Sequence, residues 1–441
     1  MLHNENSRVK IPALVHFTRL GYEYLSLKNY SGKNLIDEDT NIFIDLLRAA
    51  INRINGIEYT LEDTQKLVNE FKLVLDNEDI GRSFYSILLN GYKGIKLIDF
   101  EDFTGKKNIF NVVTELTYKN GTDEFRPDIT VLINGLPLAF IEVKKPNNKS
   151  GIKAEYDRMN TRVQNKKFRR FINLTQIMVF SNNSPYDDSE VVPLEGSFYA
   201  ASGYKKLFFN HFREEDARLI SSVPEADEET ENFILKDNNL VSIKHTPEYI
   251  TNRAIDTPTN SIITSLFSFE RILTFIKYAV AYVEKTDENG ITHLEKHLMR
   301  YPQFFATKAI ESKLNQGVKN GIIWHTQGSG KTALAFFNVR YLTDYYQKKG
   351  VIAKFYFVVD RLDLLTQAAN EFRARGIEVE EINSKEEFIN NIQTTGTSNN
   401  TGKLTITVVN IQKFSKDLTF AYRQTFWPLI LAVILTARRL F

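Results

Sequence analysis

"FRPDITVLINGLPLAFIEVKK", residues 125–145, is an apolar ribbon that carries charge only at its two open ends. Asn134-Gly135 is a strong hairpin signal, because both residues tolerate positive φ. The turn joins "ITVLI" to "LPLAFIEV", and both runs are apolar enough to be covered on both faces. Charges at the far ends of such strands are costly unless they meet water, a metal or each other. Glu142 and Lys144 are two apart and so share a face. A strict two-residue loop would pair Asp128 with Ile141 and turn its carboxylate away from Glu142. A shared site therefore requires a longer or shorter loop, or a bulge, and that irregularity is expected here.

If the two acids converge, their chemistry is that of a divalent metal. Asp128 and Glu142, helped by the carbonyl of Val143, offer hard oxygen ligands suited to Mg²⁺. Such an ion lowers the pKa of bound water and neutralises charge on a scissile phosphate. Lys144 would orient the water or stabilise developing charge. The Glu-x-Lys pattern also occurs at Glu70-Lys72 and Glu311-Lys313, in amphipathic helical contexts where the charges face solvent. Only residues 142–144 end an apolar strand with Pro-Asp upstream; an ordinary hairpin with exposed charges is the competing account. The basic stretch from Lys144 and Lys145 through Arg158, Arg162 and Arg170 suits a phosphate backbone, or else a solvated helix face.

"GIIWHTQGSGKT", residues 321–332, places an apolar run, a glycine turn and Lys-Thr at the start of a helical pattern. Amides around Gly328, Ser329 and Gly330 can cradle phosphates, with Lys331 reaching the β/γ oxygens and Thr332 offering its hydroxyl to Mg²⁺. His325 stands where the strict motif has Gly. "RYPQ" (300–303) precedes this loop at the distance where helicase-type motors read adenine with a Gln. "VVDRLDLLTQ" (358–367) ends the next strand, where such motors touch the DNA backbone.

The 441 residues allow two or three domains with their own cores. A net charge of +2 confines any nucleic-acid contact to local patches, and the absence of Cys excludes disulfides, thiolate zinc sites and thiol nucleophiles. No signal-peptide pattern opens the chain, and its longest apolar run, "LILAVIL" (429–435), is far short of a membrane span. A soluble, cytoplasmic protein without a membrane partner is expected. Helices are predicted over 41–54, 61–77, 153–171 and 264–285, and strands over 110–119 and 173–183. "SSVPEADEETEN" (221–232) reads as an exposed acidic connector. Beyond it, apolar strands alternate with amphipathic helices, the pattern of a parallel α/β sheet.

Taken together, "RLGYEYLS" (19–26), "RPDITVLINGLPLAFIEVKKP" (126–146), "YPQFFATKAIE" (301–311), "GIIWHTQGSGKT", "VVDRLDLLTQ" and "NIQKF" (410–414) make the chain resemble the restriction (R, HsdR-type) subunit of type I restriction–modification enzymes. The resemblance implies an α/β protein, with an N-terminal PD-(D/E)xK nuclease-like domain followed by a partial RecA-like (superfamily 2) parallel-sheet motor domain. The expected divisions are a nuclease over 1–220, an acidic linker over 221–245 and an incomplete first motor lobe over 246–441. It further implies Asp128, Glu142, Lys144 and Gln164 as the nuclease centre, with Phe168 where relatives carry the Tyr of a Gln-x-x-x-Tyr motif. Gln303, Gly328, Ser329, Gly330, Lys331 and Thr332 would hold MgATP, while Lys145, Asp360 and Arg361 would lie on DNA. Double-stranded DNA and the methylation and specificity subunits are the implied partners, with cutting at distant, nonspecific positions after ATP-driven translocation. After "NIQKF" the family presents an apolar strand ending in Asp-Glu-x-His, whereas this chain has "WPLILAVILTARRLF"; alone it is expected neither to hydrolyse ATP efficiently nor to translocate. A repair helicase with a non-cleaving DNA-binding domain and a regulatory nucleotide-binding module are the alternatives.

Overall fold

The computed structural model describes residues 4–410, apart from 147, 149, 188–194, 204–205, 319–320, 327, 360, 383 and 394–403. Two compact units emerge, one of residues 1–280 with 294–301 and the other of 281–293 with 302–441.

The first unit begins with a wide π-turn, Asn6–Lys10, continued by helix α1 (Ile11–Arg19) and the short strand β1 (Glu23–Leu25). Helices α2 (Ile44–Asn55), α3 (Leu61–Leu75) and α4 (Arg82–Asn90) follow. Thr60 and Asp63 form a reciprocal capping box at the start of α3, which satisfies amides that the first turn leaves without partners. Strands β2 (Phe110–Thr114), β3 (Tyr118–Asn120), β4 (Asp123–Phe125), β5 (Ile129–Ile133) and β6 (Leu136–Val143) come next. Helices α5 (Gly151–Gln164) and α6 (Arg169–Leu174) lead to β7 (Ile177–Ser181), β8 (Ser197–Ala200) and β9 (Asn210–His211). Seven of these strands make one mixed sheet in the order β1-β2-β5-β6-β7-β8-β9, with β6 and β7 parallel and β5 and β6 antiparallel.

Every residue of β5 and β6 is buried, as their unbroken apolar runs require of central strands. The predicted helix over 153–171 is two helices. Asn165 leaves helical geometry and caps Lys167 with its side chain, which breaks the run. Glu115, at φ +55°, ends β2 inside the strand expected over 110–119.

The expected acidic linker is folded structure. Helices α7 (Ala217–Ser221) and α8 (Glu228–Asp237) belong to the first unit, and α8 buries Ile234, Leu235 and Glu231. Glu231 accepts hydrogen bonds from Tyr249 and Arg253, both at 2.7 Å, and Asp237 accepts from Tyr24 and Ser26 at 2.7 and 2.8 Å. Glu225, Asp227, Glu228 and Glu229 face solvent, while Glu231 and the later Asp237 turn inward to partners, so the stretch is the outer face of a folded segment rather than a connector. The unit continues through α9 (Pro247–Asn252), α10 (Pro258–Phe267) and α11 (Phe269–Thr274), well beyond the expected division at 246. The single helix predicted over 264–285 breaks at Ser268 and then becomes strand β10 (Val280–Thr286), paired with β11 (Thr292–Leu298).

In the second unit, α12 (Tyr301–Asn315) precedes the glycine loop and α13 (Lys331–Gln347) follows it. Strand β12 (Tyr356–Val359), α14 (Leu362–Arg373), β13 (Glu378–Ile382), α15 (Lys385–Gln393) and β14 (Thr405–Asn410) complete it. The three strands form a parallel sheet in the order β12-β14-β13, as the alternating pattern requires. Residues 321–326, expected as a strand, pair with no strand among the described residues, and Ile322 and Trp324 are exposed. The Asn/Thr-rich stretch 394–402 and the apolar run 429–435 lie outside the described residues.

Candidate active site and phosphate loop

The β5–β6 turn is set by two residues. Asn134 and Gly135 both adopt positive φ, +55° and +76°, which suits a two-residue hairpin loop. Asn134 is fully buried; its amide donates to the Leu97 carbonyl at 2.8 Å and to Asn108 Oδ1 at 2.9 Å, while its Oδ1 accepts from the Ile109 amide at 2.7 Å. The ladder then runs Ile133↔Leu136 and Leu132↔Pro137 but resumes as Val131↔Ala139, so Leu138 is the extra residue of a bulge. Pro137 has no N–H to give to a ladder, and a bulge is where a central strand tolerates it. Beyond the bulge Ile129 pairs with Ile141, and the same register carries Asp128 opposite Glu142. The irregularity demanded by the sequence is present.

The side chains lock together at the strand ends. The Asp128 amide donates to Glu142 Oε1 at 3.3 Å, and the Val143 amide donates to Asp128 Oδ2 at 3.0 Å. Lys144 Nζ donates to the Val143 carbonyl at 2.9 Å and to Glu142 Oε2 at 3.4 Å. Burial pushes the Glu142 carboxyl up to about 8, reinforced by the nearby charges of Asp128 and Glu155 and opposed by Lys144. Burial also raises Asp128, against the Val143 amide and the charges of Lys144 and Lys10. For Lys144, burial disfavours the cation, but Glu142, Glu155, Asp128 and Glu5 outweigh it and hold the ammonium above its ordinary value. Closely spaced acids that resist ionisation are a donor set suited to a cation. Among the described residues no three His, Cys, Asp or Glu side chains form a metal site by themselves. The fitting donors are thus two carboxylates and the Val143 carbonyl.

Three charged groups at this site escaped the sequence reading. Glu5 precedes the π-turn; it accepts a hydrogen bond from the Lys145 amide, and burial raises its pKa with Lys144 opposing. Lys10 ends that turn, is 2% exposed and donates to Glu115 Oε1 at 2.7 Å. Glu155, also nearly inaccessible, lies on the buried stripe of α5 between Ile152 and Met159. Its sequence signal was the spacing of one acid with Arg158 and Arg162 on a single helix face. Glu5 and Lys10 had no local signal, being more than a hundred residues from the hairpin. Gln164 is the last residue of α5, roughly 13 Å further along the helix axis than Glu155. Phe168 is buried in the core.

Much of the basic stretch is paired internally. Arg169 meets Glu78 at 2.6 Å, Arg170 meets Asp76 at 2.7 Å, Lys167 meets Asp123 at 3.1 Å, and both Arg158 and Arg162 meet Glu155. Lys145 and Lys153 are exposed.

At the glycine loop, Gly328 and Gly330 adopt φ of +78° and +81°, a conformation that side chains resist. Lys331 Nζ folds back onto the Thr326 carbonyl at 2.8 Å, and Thr332 is the second residue of α13. The Ser329 hydroxyl is buried without a hydrogen-bond partner among the described residues. Gln303 is buried and donates to the Gly330 carbonyl at 3.2 Å, which brings α12 to the loop. Arg361 stands at the N-cap position of α14 without a side-chain capping bond and pairs with Asp363; Asp360 lies outside the described residues.

Residues 3–186 match the family described as type I restriction enzyme R protein N terminus, and residues 296–432 match the family described as type III restriction enzyme, res subunit. A Methanocaldococcus jannaschii protein described as the type I restriction enzyme MjaVIIP endonuclease subunit is 28% identical over 338 residues, 73% of this chain and 27% of its own length. A second from that organism, the MjaIXP endonuclease subunit, is 26% identical over 86% of this chain and 35% of its own. The SsaAORF53P endonuclease subunit of Staphylococcus saprophyticus is 24% identical over 90% of this chain and 36% of its own. The chain spans between about a quarter and a third of these relatives' length. No helix among the described residues is long and apolar enough to cross a membrane. Over residues 3–186 and 296–432, on a mixed α/β fold, the chain is similar to HsdR-type endonuclease subunits of type I restriction enzymes.

Proposed function

We propose that the first unit is a divalent-metal-dependent endonuclease acting on double-stranded DNA. It would serve a type I restriction enzyme in which ATP-driven translocation precedes cutting at nonspecific positions. The observation that carries this reading is the bulge-set convergence of Asp128, Glu142 and Lys144. Asp128, Glu142 and the Val143 carbonyl would hold Mg²⁺; bound there, the ion supplies an activated water and charge neutralisation at the phosphate. The chain's own groups do the rest. Val143 fixes Asp128 through its amide, and the Lys144 ammonium, buried between acids, is set to hold an attacking water or a developing negative charge. Hydrolysis joins the water oxygen to phosphorus and breaks one ester P–O bond, and the leaving sugar oxygen takes up a proton.

Gly328, Ser329, Gly330, Lys331 and Thr332, with Gln303 against the loop, support binding of MgATP by the second unit. DNA contacts at Lys145, Asp360 and Arg361, and assembly with methylation and specificity subunits, follow from the family rather than from geometry. Nicking of supercoiled plasmid by the chain in Mg²⁺ or Mn²⁺ tests the nuclease. Lys144→Ala and Asp128→Asn are each expected to lower the rate by about 100-fold or more, the scale of removing one charge-stabilising group. Cutting that survives both substitutions would exclude this site.

A further inference from the structure

Lys144 is a flexible ammonium whose usefulness depends on where it is held. Two carboxylates lie within 4 Å of it among the described residues: Glu142 Oε2 at 3.4 Å and Glu155 Oε2 at 3.6 Å. A metal engaged by Glu142 draws charge from the first of these. We infer that Glu155 is a positioning residue of the nuclease site, an anchor that keeps the Lys144 ammonium in place from the α5 side. The inference rests on the nuclease reading above and assigns a role to a residue outside its motif.

Glu155 occupies a place where a helix ordinarily buries an apolar side chain, flanked on its stripe by Ile152 and Met159. A carboxylate so enclosed is retained only if paired. Its Oε1 accepts from Arg162 at 2.9 Å, and its Oε2 lies 3.1 Å from Arg158, yet Oε2 accepts no hydrogen bond among the described residues. One oxygen is thus fixed, while the other stands between Arg158 at 3.1 Å and Lys144 at 3.6 Å with bonding capacity to spare. Arg162 is braced in turn: its guanidinium lies 4.0 Å over the Phe125 ring, three residues before Asp128. The chain Phe125–Arg162–Glu155–Lys144 ties the two open ends of the hairpin to one helix. Neutralisation of the two arginines explains the burial of Glu155, and the 3.6 Å approach of the same Oε2 to Lys144 extends its reach to the strand ends.

The test measures plasmid nicking by the full chain in Mn²⁺, with Glu155→Gln, Lys144→Arg and the double variant compared. Gln keeps the shape and loses the charge. Glu155→Gln is expected to lower kcat about tenfold or more, a modest part of what misplacing a reacting group can cost, with KM for DNA unchanged. In the Lys144→Arg background the same change should add no further loss, because Glu155 acts through Lys144. Wild-type kcat in Glu155→Gln, a rise in KM alone, or a double variant whose loss is the product of the two single losses overturns the inference. If Glu155→Gln does not fold, as judged by its melting transition, Arg162→Gln replaces it in the same cycle, with the same outcomes deciding. Failure of the wild-type chain to nick would instead sink the nuclease reading itself.

Discussion

Glu142 is costly where it stands. It is 6% exposed, and its proton is held to about pH 8 by burial and by the neighbouring acids. An acid that binds its proton more tightly in the fold than in the unfolded chain stabilises the fold at low pH. That contribution is whole below the ordinary value of 4.5 and is lost as pH rises through about 8. Without divalent ions, stability relative to Glu142→Gln should therefore fall across this window. At its steepest the fall is about 1.4 kcal/mol per pH unit. Urea unfolding of both proteins at several pH values in chelator measures the difference; parallel pH profiles would show that Glu142 ionises freely. Asp128, Glu142 and Lys144 were legible because one hairpin carries all three. Glu5 and Lys10 were not, since no local period tells which distant helix face will close over the strand ends, and the spacing of Glu155 with Arg158 and Arg162 marks a helix face without saying that it meets Lys144.

Among the elements, the β5–β6 hairpin has the least freedom to change. A Cβ on Gly135 would sit 2.5 Å from the Phe43 carbonyl and 2.9 Å from the Leu47 amide, in a backbone conformation that already disfavours side chains. Gly135→Ala should cost more than about 3 kcal/mol, combining strain with displacement of α2. Asn134→Ala takes their partner from the Leu97 carbonyl and the Ile109 amide and one of two donors from Asn108 Oδ1, and should cost roughly 2–4 kcal/mol. Denaturant melts of the two variants check both figures, and near-wild-type midpoints would mean that the turn is not what sets the register. The need for a bulge could be argued from residue parity alone, because a one-residue slip reverses every side chain. The boundary of the helix predicted over 264–285 was not legible. Its apolar run continues past Phe275 in a pattern compatible with either period, and pairing of Val280–Thr286 with Thr292–Leu298 decides for strand.

At the scale of the whole molecule, two cores in one chain make a single unfolding transition an unsafe assumption. The alternation of strands and helices after residue 300 announced the second core, whereas the acidic stretch misplaced the border because Glu231 and Asp237 turn inward to tyrosine, serine and arginine partners. The two candidate sites fall in different units, and this gives them separable thermodynamic signatures. A ligand that binds only the folded form stabilises it by about 2.7 kcal/mol at a hundred times its Kd. For a unit of about 150 residues that corresponds to roughly 5–10 °C in its own midpoint. MgADP is therefore expected to raise one calorimetric transition of the full chain and leave the other in place. Lys331→Ala, which removes the ammonium now resting on the Thr326 carbonyl, should abolish the rise, and Lys144→Ala should not affect it. Mn²⁺ without nucleotide should act on the other transition and depend on Asp128 and Glu142. If both ligands move the same transition, or if Lys144→Ala removes the nucleotide effect, then phosphate binding is not a property of the second unit alone.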